Sequence, residues 1–394
     1  MRPTVIVITD RTLFPQRAGN VARIVSLIRG LRATGHRVVL VARRIEGRFS
    51  PLLPSVNRTL RTHLLVDRYL PVRAARFVSG PLEYDCSPYL PEVSRAVRTY
   101  DPVCVIAEYA WMAPCLDAVT NGALTAVDTH DLMHVRAGMY GVVHGGAWLD
   151  CTRDEEARAL GHADVVIAIQ RHEQREFQSM LPGRRVICVP HLCEPVAAPA
   201  AASAPGDVVV FVGSTNAGNR DGLEAFVRDA WPAVRRARPG AEFHVYGDTA
   251  RRLRDAGVDG VDGVRCVGYT RRLADAYASA AVVINPVRLG TGLKIKTVEA
   301  LAFRKAVVTT SCGAAGIEEG TGSAFVLEDQ MPEFGEAVAR LLADADARAA
   351  LGREAAAFVS ARFAPPAALR ELLDAVASCA AARRAAPAAE RRAS

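Results

Sequence analysis

The sequence predicts an α/β fold of two Rossmann-like domains, each built on a parallel sheet, and three observations support this prediction. Short, nearly continuous apolar runs alternate with stretches of helical periodicity, which is typical of strands buried on both faces of a parallel sheet. The alternation stops at a proline- and alanine-rich segment, residues 196–206, and then restarts. With 394 residues, the chain is also longer than one ordinary domain.

The first half of the chain alternates strand and helix from its beginning. Thr4–Thr9 is a short β-rich run, and Ala22–Ala33 repeats apolar residues at helical spacing before Gly35 ends the helix. A second helix is predicted over Asp154–Leu160. The other apolar runs that predict strands are Arg37–Val41, Val103–Ala107, Ala123–Val127, Asp164–Ile169 and Val186–Val189.

The second half repeats the architecture without repeating the sequence. Asp207–Val212 predicts its first strand and Gly222–Arg236 its first helix. The later strands are predicted over Glu242–Tyr246, Ala281–Asn285, Ala306–Thr310 and Ala324–Leu327, and the later helices over Met331–Ala343, Ala347–Val359 and Leu369–Ala382. We therefore expect a domain over residues 1–195, a linker over 196–206, a domain over 207–365, a helix over 366–382 that could return to the first domain, and a disordered tail over 383–394.

Composition excludes several classes of protein. The net charge of +7 is moderate and no basic stripe is interleaved with aromatic residues, so we expect no nucleic-acid partner. No apolar run reaches the roughly 18–20 residues of a spanning helix, and the first run is too short for a signal peptide, so a cytoplasmic protein is expected. The nine cysteines contain no CxxC pair, which favours small buried side chains over disulfides or zinc.

One segment is locally basic and leaves room for a peripheral contact at the inner face of the membrane. Its arginines could meet a phosphorylated acceptor or an anionic lipid surface, but a solvated arginine face is the ordinary alternative. The residues concerned are Arg58, Arg61, Arg68, Arg73 and Arg76, against a single Asp67.

The three lysines of the chain all fall between residues 289 and 310, whereas the other basic residues are arginine. A predicted strand ends at Pro286, a glycine-rich turn follows, and a helix is predicted over Leu293–Phe303. The free N–H groups and the dipole of a helix N-terminus attract anions, and Lys294 lies in the first turn. This strand, loop and helix therefore suit a phosphate or diphosphate.

Glu299 lies in the middle of the same helix, where its carboxylate could accept hydrogen bonds from two vicinal hydroxyls such as those of a ribose. The spacing from Lys296 equally fits an ion pair on a solvated helix face. From spacing alone both interpretations stay open.

These motifs resemble those of a known enzyme family. The stretch GTGLKIKTVEALAFRKAVVTT, with Gly313–Ile317 after it, is similar to the donor-site segment of retaining GT-B glycosyltransferases of family four, the group 1 type, in a subgroup with Gly-x-Gly-x-Lys. Other segments resemble the family in the same order along the chain. They are Arg17–Val41, Val127–Arg136, Asp154–Glu173, Phe211–Ser214, Asn219–Trp231 and His244–Asp248.

The resemblance implies a GT-B fold with two sheets facing across a cleft, and a retaining hexosyl or N-acetylhexosaminyl transfer from a nucleotide sugar, with UDP the commonest base, to a hydroxyl acceptor. It implies that Glu299 binds the ribose, that Lys294 and the amides after Gly292 hold the diphosphate, and that His130 lies near the reacting centre, so that His130 and Lys294 are the catalytic candidates. The expected donor-binding residues are Gly19, Asn20, Gly213, Ser214, Gly290, Thr291, Gly292, Leu293, Lys294 and Glu299.

Three further residues are assigned to the acceptor side. Glu108 follows a predicted strand and could face an acceptor, although a structural ion pair explains it equally well. Asp131 and Arg136 follow His130 and could face the acceptor or only brace their loop.

The sequence also departs from the family pattern. Thr291 replaces a glutamate that many members carry, and Ser214 replaces an arginine. No Asp-x-Asp pair is placed to hold a divalent ion on a diphosphate, so we expect no metal and no cofactor. A non-catalytic nucleotide-sugar-binding partner subunit and a nucleotide-sugar 2-epimerase are the alternative functions. A dehydrogenase is disfavoured because no GxGxxG follows the first strand.

Overall fold

The chain folds into two compact units. The structure is a computed structural model that describes residues 2–13, 18–43, 66–72, 82, 84–136, 139, 151–197, 206–255, 257–270 and 272–385. The described parts of Met1–Gln16, Asn20–Leu192 and Pro365–Ser394 pack as the first unit, and those of Arg17–Gly19 and Cys193–Ala364 pack as the second.

The first unit is a seven-stranded parallel sheet covered by helices. Its strands are β1 (Thr4–Thr9), β2 (Arg37–Arg43), β3 (Arg68–Val72), β4 (Cys104–Glu108), β5 (Leu124–Asp128), β6 (Val165–Ala168) and β7 (Arg185–Cys188). Its helices are α1 (Gly19–Ala33), α2 (Leu90–Tyr100), α3 (Arg153–Leu160) and α4 (Arg171–Met180), with a 3₁₀ segment over Ala110–Ala118. The strand order is β3-β2-β1-β4-β5-β6-β7, and every pair is parallel.

Both faces of this sheet are buried, as its apolar strands require. Ile6 and Ile8 belong to one hydrophobic core, and Val5 and Val7 to the other. α2 and the 3₁₀ segment cover the first face, and α1 covers the second. The order reverses between β1 and β4, and such a reversal opens a crevice at the carboxyl ends of the strands. Residues that follow β4 and β5 therefore lie where a ligand can reach them.

The end of the described chain packs into the first unit. Two helices, α12 (Pro365–Ala368) and α13 (Arg370–Ala385), end this part of the chain. Leu369, between them, and Leu372, in α13, are both 0% exposed and belong to the core under α1. The Glu371 carboxylate accepts a hydrogen bond from the backbone N–H of Cys188 at 2.9 Å. These contacts fix the helix by both apolar burial and a backbone bond.

The second unit is a six-stranded parallel sheet of the same type. Its strands are β8 (Val208–Val212), β9 (Glu242–Tyr246), β10 (Val264–Gly268), β11 (Val282–Asn285), β12 (Ala306–Thr309) and β13 (Val326–Leu327). Its helices are α5 (Ala217–Ala225), α6 (Trp231–Ala237), α7 (Thr249–Asp255), α8 (Leu273–Ser279), α9 (Ile295–Ala302), α10 (Met331–Ala343) and α11 (Ala345–Phe363). The order β10-β9-β8-β11-β12-β13 reverses between β8 and β11, so the loops after these two strands share one crevice.

The predicted helix over Gly222–Arg236 is not continuous. Five residues, Phe226–Ala230, form a wider π-type turn between α5 and α6. Pro232 lies in the first turn of α6, where it has no N–H to donate and its ring clashes with the carbonyl one turn earlier. The wider turn accommodates this defect inside the element.

The predicted pair of α/β domains with parallel sheets is confirmed. None of the described helices is long and apolar enough to cross a bilayer. Several predictions concern residues outside the described ranges. They are the linker over residues 198–205, the tail over 386–394, and Arg58, Arg61, Arg73 and Arg76 of the basic segment.

The packing of α13 makes Leu372→Ala destabilising. We expect the free energy of unfolding of the first unit to fall by about 2–5 kcal/mol, because a fully buried leucine is replaced by a cavity. Urea denaturation followed by circular dichroism measures the change. Asp374→Ala, on the exposed face of the same helix, is the matched control and should leave the midpoint in place. Equal urea midpoints for the two variants would show that the packing of α13 does not stabilise this core.

Candidate functional site

The glycine-rich loop lies between β11 and α9 in the second unit. Pro286 follows β11, and α9 begins at Ile295, two residues later than predicted. Gly290 and Gly292 have φ values of 124° and 75°, a region that side chains with a Cβ rarely adopt. The two glycines are therefore required by the turn itself, as their spacing indicates.

Lys294 folds back onto this loop. Its Nζ donates hydrogen bonds to the carbonyl oxygens of Gly290, Thr291 and Gly292 at 3.1, 2.9 and 2.9 Å. An ammonium group has three donors, so all of them are used by the loop. Lys294 immediately precedes α9, and in the described structure its side chain stabilises the turn; a contact of Lys294 with a diphosphate stays a prediction.

Among the described residues, Lys296 has only neutral groups as close partners of its ammonium. Its Nζ donates to Oδ1 of Asn219 and lies 4.6 Å from the centre of the Phe211 ring, a cation–π contact. No carboxylate forms an ion pair with it within the described parts of the chain. Burial, and then repulsion from Lys294, lowers the pKa of Lys296 to about 7. This ammonium is thus solvated by a neutral amide and a ring, and an arriving anion would stabilise it strongly.

Glu299 follows Lys296 by almost one turn of α9. Burial raises the pKa of Glu299 to about 7, and the nearby Lys296 opposes this shift. Within the described residues its side chain makes no hydrogen bond, and it forms no close ion pair with Lys296. The interpretation of a solvated ion pair is therefore wrong for this helix, and the carboxylate is available for hydroxyl groups.

Asn219 is a residue of this site that the sequence analysis did not single out. Its Nδ2 donates to the carbonyl oxygen of Ser214 at 2.7 Å, and its Oδ1 accepts from Lys296. Its backbone N–H donates to the side chain of Asn216, which caps α5. A Cβ on Gly213 would lie 2.9 Å from Asn219 Nδ2 and 2.6 Å from the Phe211 ring, so the glycine permits this packing. The Asn-x-x-Asn cap is the sequence signal that could have revealed it.

A second cluster lies at the carboxyl ends of β4 and β5 in the first unit. We call it the histidine cluster, formed by Arg23, Glu108, Asp128 and His130. His130 Nε2 lies 2.7 Å from Oε2 of Glu108 and 3.7 Å from Oδ2 of Asp128. Both oxygens of Asp128 accept hydrogen bonds from Arg23, at 2.8 and 2.6 Å. All four side chains are at most 5% exposed, so their charges must balance within the cluster.

Burial in the histidine cluster favours the neutral forms of two of its members. Burial, and then the charge of Asp128, raises the pKa of Glu108 well above its usual value. Burial lowers the pKa of His130 to about 3, although Asp128 opposes this shift. Arg23 and Asp128 therefore form the ion pair of the cluster, and burial favours the uncharged forms of Glu108 and His130.

Aromatic stacking holds the imidazole in place. The ring of His130 stacks on Tyr109 at 4.0 Å between centres, and Tyr109 stacks on Trp111 at 4.1 Å. His130 and Tyr109 have positive φ values of 64° and 78°, each a strained backbone conformation for its residue type. Because the packing maintains this strain at two adjacent residues, the position of the His130 ring is closely specified.

The remaining predicted residues lie around these two groups. Gly19 is the first residue of α1, and the Asn20 side chain hydrogen-bonds the Tyr109 hydroxyl, whose pKa is raised mainly by burial. Leu293 is buried beside the glycine-rich loop. Glu108 is fully buried and bonded to His130, which corrects its assignment to an acceptor-facing position.

Asp131 and Arg136 form a partly exposed ion pair of 2.8 Å. The same loop is held by Glu156 on α3, which accepts from the backbone N–H groups of Met133 and His134 at 3.0 Å each. The contact between Asp131 and Arg136 fits the bracing alternative, because each side chain binds the other across one turn.

Glu108, Asp128 and His130 are also the group of described residues whose ligating atoms lie close enough together, within 4.8 Å, to hold a metal ion. The Arg23 guanidinium already binds both oxygens of Asp128. The cluster thus contains its own cation, and a metal ion would have to displace it.

Two family models match the chain, one in each half. Residues 18–191 match the glycosyl transferase 4-like domain, and residues 206–344 match the glycosyl transferases group 1 domain. No curated protein matches the chain in a comparison of sequences.

Solved structures share the fold at low sequence identity. Sucrose-phosphate synthase from Thermosynechococcus elongatus is 20% identical with a TM-score of 0.70, and the match covers 97% of this chain and 100% of that one. TarM from S. aureus, in complex with UDP and alpha-GlcNAc-glycerol, is 9% identical with a TM-score of 0.71, and the match covers 95% of this chain and 100% of that one. HepE from Anabaena, in complex with UDP and glucose, is 16% identical with a TM-score of 0.66, and the match covers 95% of this chain and 99% of that one.

The unusual ionisation of Lys296 can be measured directly because the chain has three lysines. Protein made with ¹³C-labelled lysine should give three ε-methylene signals, one of which titrates near pH 7. Asn219→Asp should move that titration to higher pH, since a carboxylate would replace the neutral partner of the ammonium. Lys296→Met should remove this signal and keep the other two. Three titrations at the ordinary lysine pKa would contradict the described environment.

Proposed function

We propose that this chain, a GT-B glycosyltransferase whose two halves match the 4-like and group 1 glycosyltransferase domains, moves a sugar from a UDP-sugar to a hydroxyl acceptor with retention of configuration. The transferred group is a hexosyl or N-acetylhexosaminyl unit, and the reaction needs no metal. The observation that carries the proposal is the presence on one helix of Lys296, a half-buried ammonium without a carboxylate ion-pair partner among the described residues, and of Glu299 almost one turn later.

Lys296 and the start of α9 fit a diphosphate. The first N–H groups of a helix have no acceptor within the helix, and its dipole favours negative charge at that end. As the bond to the anomeric carbon breaks, negative charge develops on the leaving phosphate, and a preorganised ammonium stabilises it. Lys294 acts indirectly in this proposal, because its Nζ binds three carbonyl oxygens of the loop and so holds the turn that precedes α9.

Glu299 fits the ribose of the same donor. Two vicinal hydroxyl groups can donate to one carboxylate, and such hydrogen bonds favour its ionised form. A raised pKa in the free protein means that binding draws the carboxyl toward ionisation, while the diphosphate draws Lys296 toward protonation. In this proposal the diphosphate of the donor stabilises the charged form of Lys296, and its ribose stabilises the charged form of Glu299.

UDP as the base, and the transferred group, are supported by proteins of the same fold. HepE is described in complex with UDP and glucose, and TarM with UDP and alpha-GlcNAc-glycerol. The pneumococcal O-GlcNAc transferase GtfA is described in complex with UDP and GlcNAc. These ligands are the reason for choosing UDP over other nucleotides in this proposal.

Retention is proposed to proceed by attack on the face from which the phosphate leaves. A covalent intermediate would need an accessible carboxylate at the anomeric carbon. Glu108 and Asp128, the carboxylates nearest His130, are 0% exposed and already hydrogen-bonded. In the proposed step the carbon–phosphate oxygen bond breaks, the acceptor oxygen bonds the same carbon, and its proton passes to the departing phosphate.

Calorimetric titration in EDTA tests the donor site. Wild-type protein should bind UDP more tightly than GDP or ADP, and Lys296→Met should lower the affinity for UDP by about 10- to 100-fold, the worth of a hydrogen bond to a charged group. Lys305→Met is the control, because that ammonium donates to the Ala280 carbonyl away from the glycine-rich loop. Equal affinities for wild type and Lys296→Met would refute the assignment.

The same proteins separate catalysis from binding alone. Incubation with UDP-glucose and UDP-GlcNAc should release UDP, slowly to water and faster with an acceptor. Binding of UDP without any release from either sugar would favour the non-catalytic partner subunit. A requirement for a divalent ion would overturn the metal-free part of the proposal.

Proton exchange on binding UDP-glucose should change sign with pH. At pH 8 the free Lys296 is mostly neutral, and the diphosphate raises its pKa, so a proton is taken up. At pH 6 the free Glu299 is mostly protonated, and ionisation against the ribose hydroxyls releases a proton. The number of protons taken up or released on binding is obtained from binding enthalpies measured in two buffers of different ionisation enthalpy. Lys296→Met should abolish the uptake and Glu299→Gln the release; exchange unchanged by both variants would contradict this account.

A further inference from the structure

Thr297 lies on α9 between Lys296 and Glu299, and the donor site described above does not use its hydroxyl. Its side chain is 1% exposed, so it cannot touch a ligand itself. We infer that Thr297 is a positioning residue, which fixes the rotation of α9 about its own axis and so the placement of Lys296 and Glu299. This inference rests on the proposed function for the role of those two side chains, but all of its parts lie within the second unit.

The Thr297 hydroxyl makes two hydrogen bonds outside its own helix. Its Oγ1 donates to the carbonyl oxygen of Gly313, in the loop after β12, at 2.9 Å. The same oxygen accepts from Nδ2 of Asn285, at the end of β11, at 2.8 Å. A threonine inside a helix can instead bond a carbonyl of its own preceding turn. Here the hydroxyl joins α9 to the ends of two paired strands.

Both partners of Thr297 are held in place by further hydrogen bonds. The Asn285 carbonyl accepts from Thr309 Oγ1 at 3.1 Å, and the Gly313 N–H donates to Thr310 Oγ1 at 3.0 Å. A Cβ on Gly313 would lie 2.1 Å from Thr309 Oγ1 and 2.9 Å from Asn285 Nδ2, so the glycine permits this close approach. The network is therefore a fixed reference for α9.

Apolar packing specifies the rotation of α9 less closely than these bonds do. The buried apolar residues of the helix are Val298, Ala300, Leu301 and Ala302. Hydrophobic burial depends on area and has no preferred direction, whereas a hydrogen bond weakens steeply as its angle departs from linear. A rotation that broke the bonds of Thr297 would also leave Asn285 Nδ2 buried without a partner among the described residues, which is unfavourable.

A small rotation of α9 would displace both donor-site side chains. The Cα atoms of a helix lie about 2.3 Å from its axis, so a rotation of about 30° moves each of them by about 1.2 Å and moves the side-chain ends further. Lys296 would then leave Asn219 Oδ1, its hydrogen-bond partner. A misplacement of about 1 Å is enough to weaken an oriented interaction by an order of magnitude or more.

The experiment replaces Thr297 by valine and by serine. Valine keeps the branched shape without the hydroxyl, and serine keeps the hydroxyl. Calorimetry measures the binding of UDP, and the ¹³C ε-methylene signal measures the titration of Lys296. We expect Thr297→Val to weaken UDP binding about 10-fold and to move the titration to higher pH, because burial of Lys296 lowers its pKa and rotation reduces that burial. Thr297→Ser should match the wild type in both measurements.

Val298→Ala is the matched control for a loss of stability alone. Val298 is the next residue of α9, is 0% exposed, and has a side chain that cannot form a hydrogen bond. This variant should lower the urea midpoint but keep the UDP affinity and the Lys296 titration of the wild type. The inference is overturned if Thr297→Val binds UDP and titrates like the wild type, or if Val298→Ala shows the same losses as Thr297→Val.

Asn285→Ala decides the inference where Thr297→Val fails to fold. It removes one of the two bonds, and Asn285 is also 1% exposed, so any effect on a ligand passes through α9. We expect UDP binding to weaken about 3-fold, with the Lys296 titration moved to higher pH. Wild-type values for both would overturn the inference. Failure of the proposed function has a separate signature: the wild type would not bind UDP, and the Lys296 signal alone would then compare the variants.

Discussion

The buried ion pair between Arg23 and Asp128 is the interaction on which the first unit depends. It joins α1 to the end of β5, and the same guanidinium also donates to the Val189 carbonyl. Removal of one partner from such a pair costs about 3–5 kcal/mol, because the other charge remains buried. The pair also acts on its neighbours: the charge of Asp128 adds to burial in raising the pKa of Glu108, and it opposes burial in lowering the pKa of His130.

The second unit handles charge in the opposite way. Lys296 is half-buried against a neutral amide and an aromatic ring and forms no ion pair with a described carboxylate, so its charge is only partly compensated. Lys294, two residues earlier, has its donors fully occupied by the loop. Lys294 thus stabilises the turn, whereas Lys296 is the lysine that we propose to bind an anion. In the proposed function, the cost of this incompletely solvated ammonium is recovered when the diphosphate binds, which would link binding to charge.

The sequence predicted most elements of the fold, and the failures have physical causes. Buried strands are continuous apolar runs, which are visible without an alignment. β3 was missed because it is an edge strand that contains Pro71 within an arginine-rich segment, and proline is tolerated mainly at sheet edges. The site was predicted in part. Local spacing identified the glycine-rich loop, but it could not show that Lys294 folds back or that Asn219 reaches Lys296 across 77 positions, since that contact depends on strand order.

The rarity of lysine has a consequence for covalent chemistry on this protein. A neutral amine is a nucleophile, whereas an ammonium group is not, and a depressed pKa is one way in which proteins activate lysine. Of the three lysines, Lys296 has an amine that is substantially neutral near pH 7, while Lys294 is held by three carbonyl oxygens. An electrophile carried on a nucleotide would meet almost no competing amines along the chain. The arginine-rich composition therefore makes the protein suited to site-selective affinity labelling.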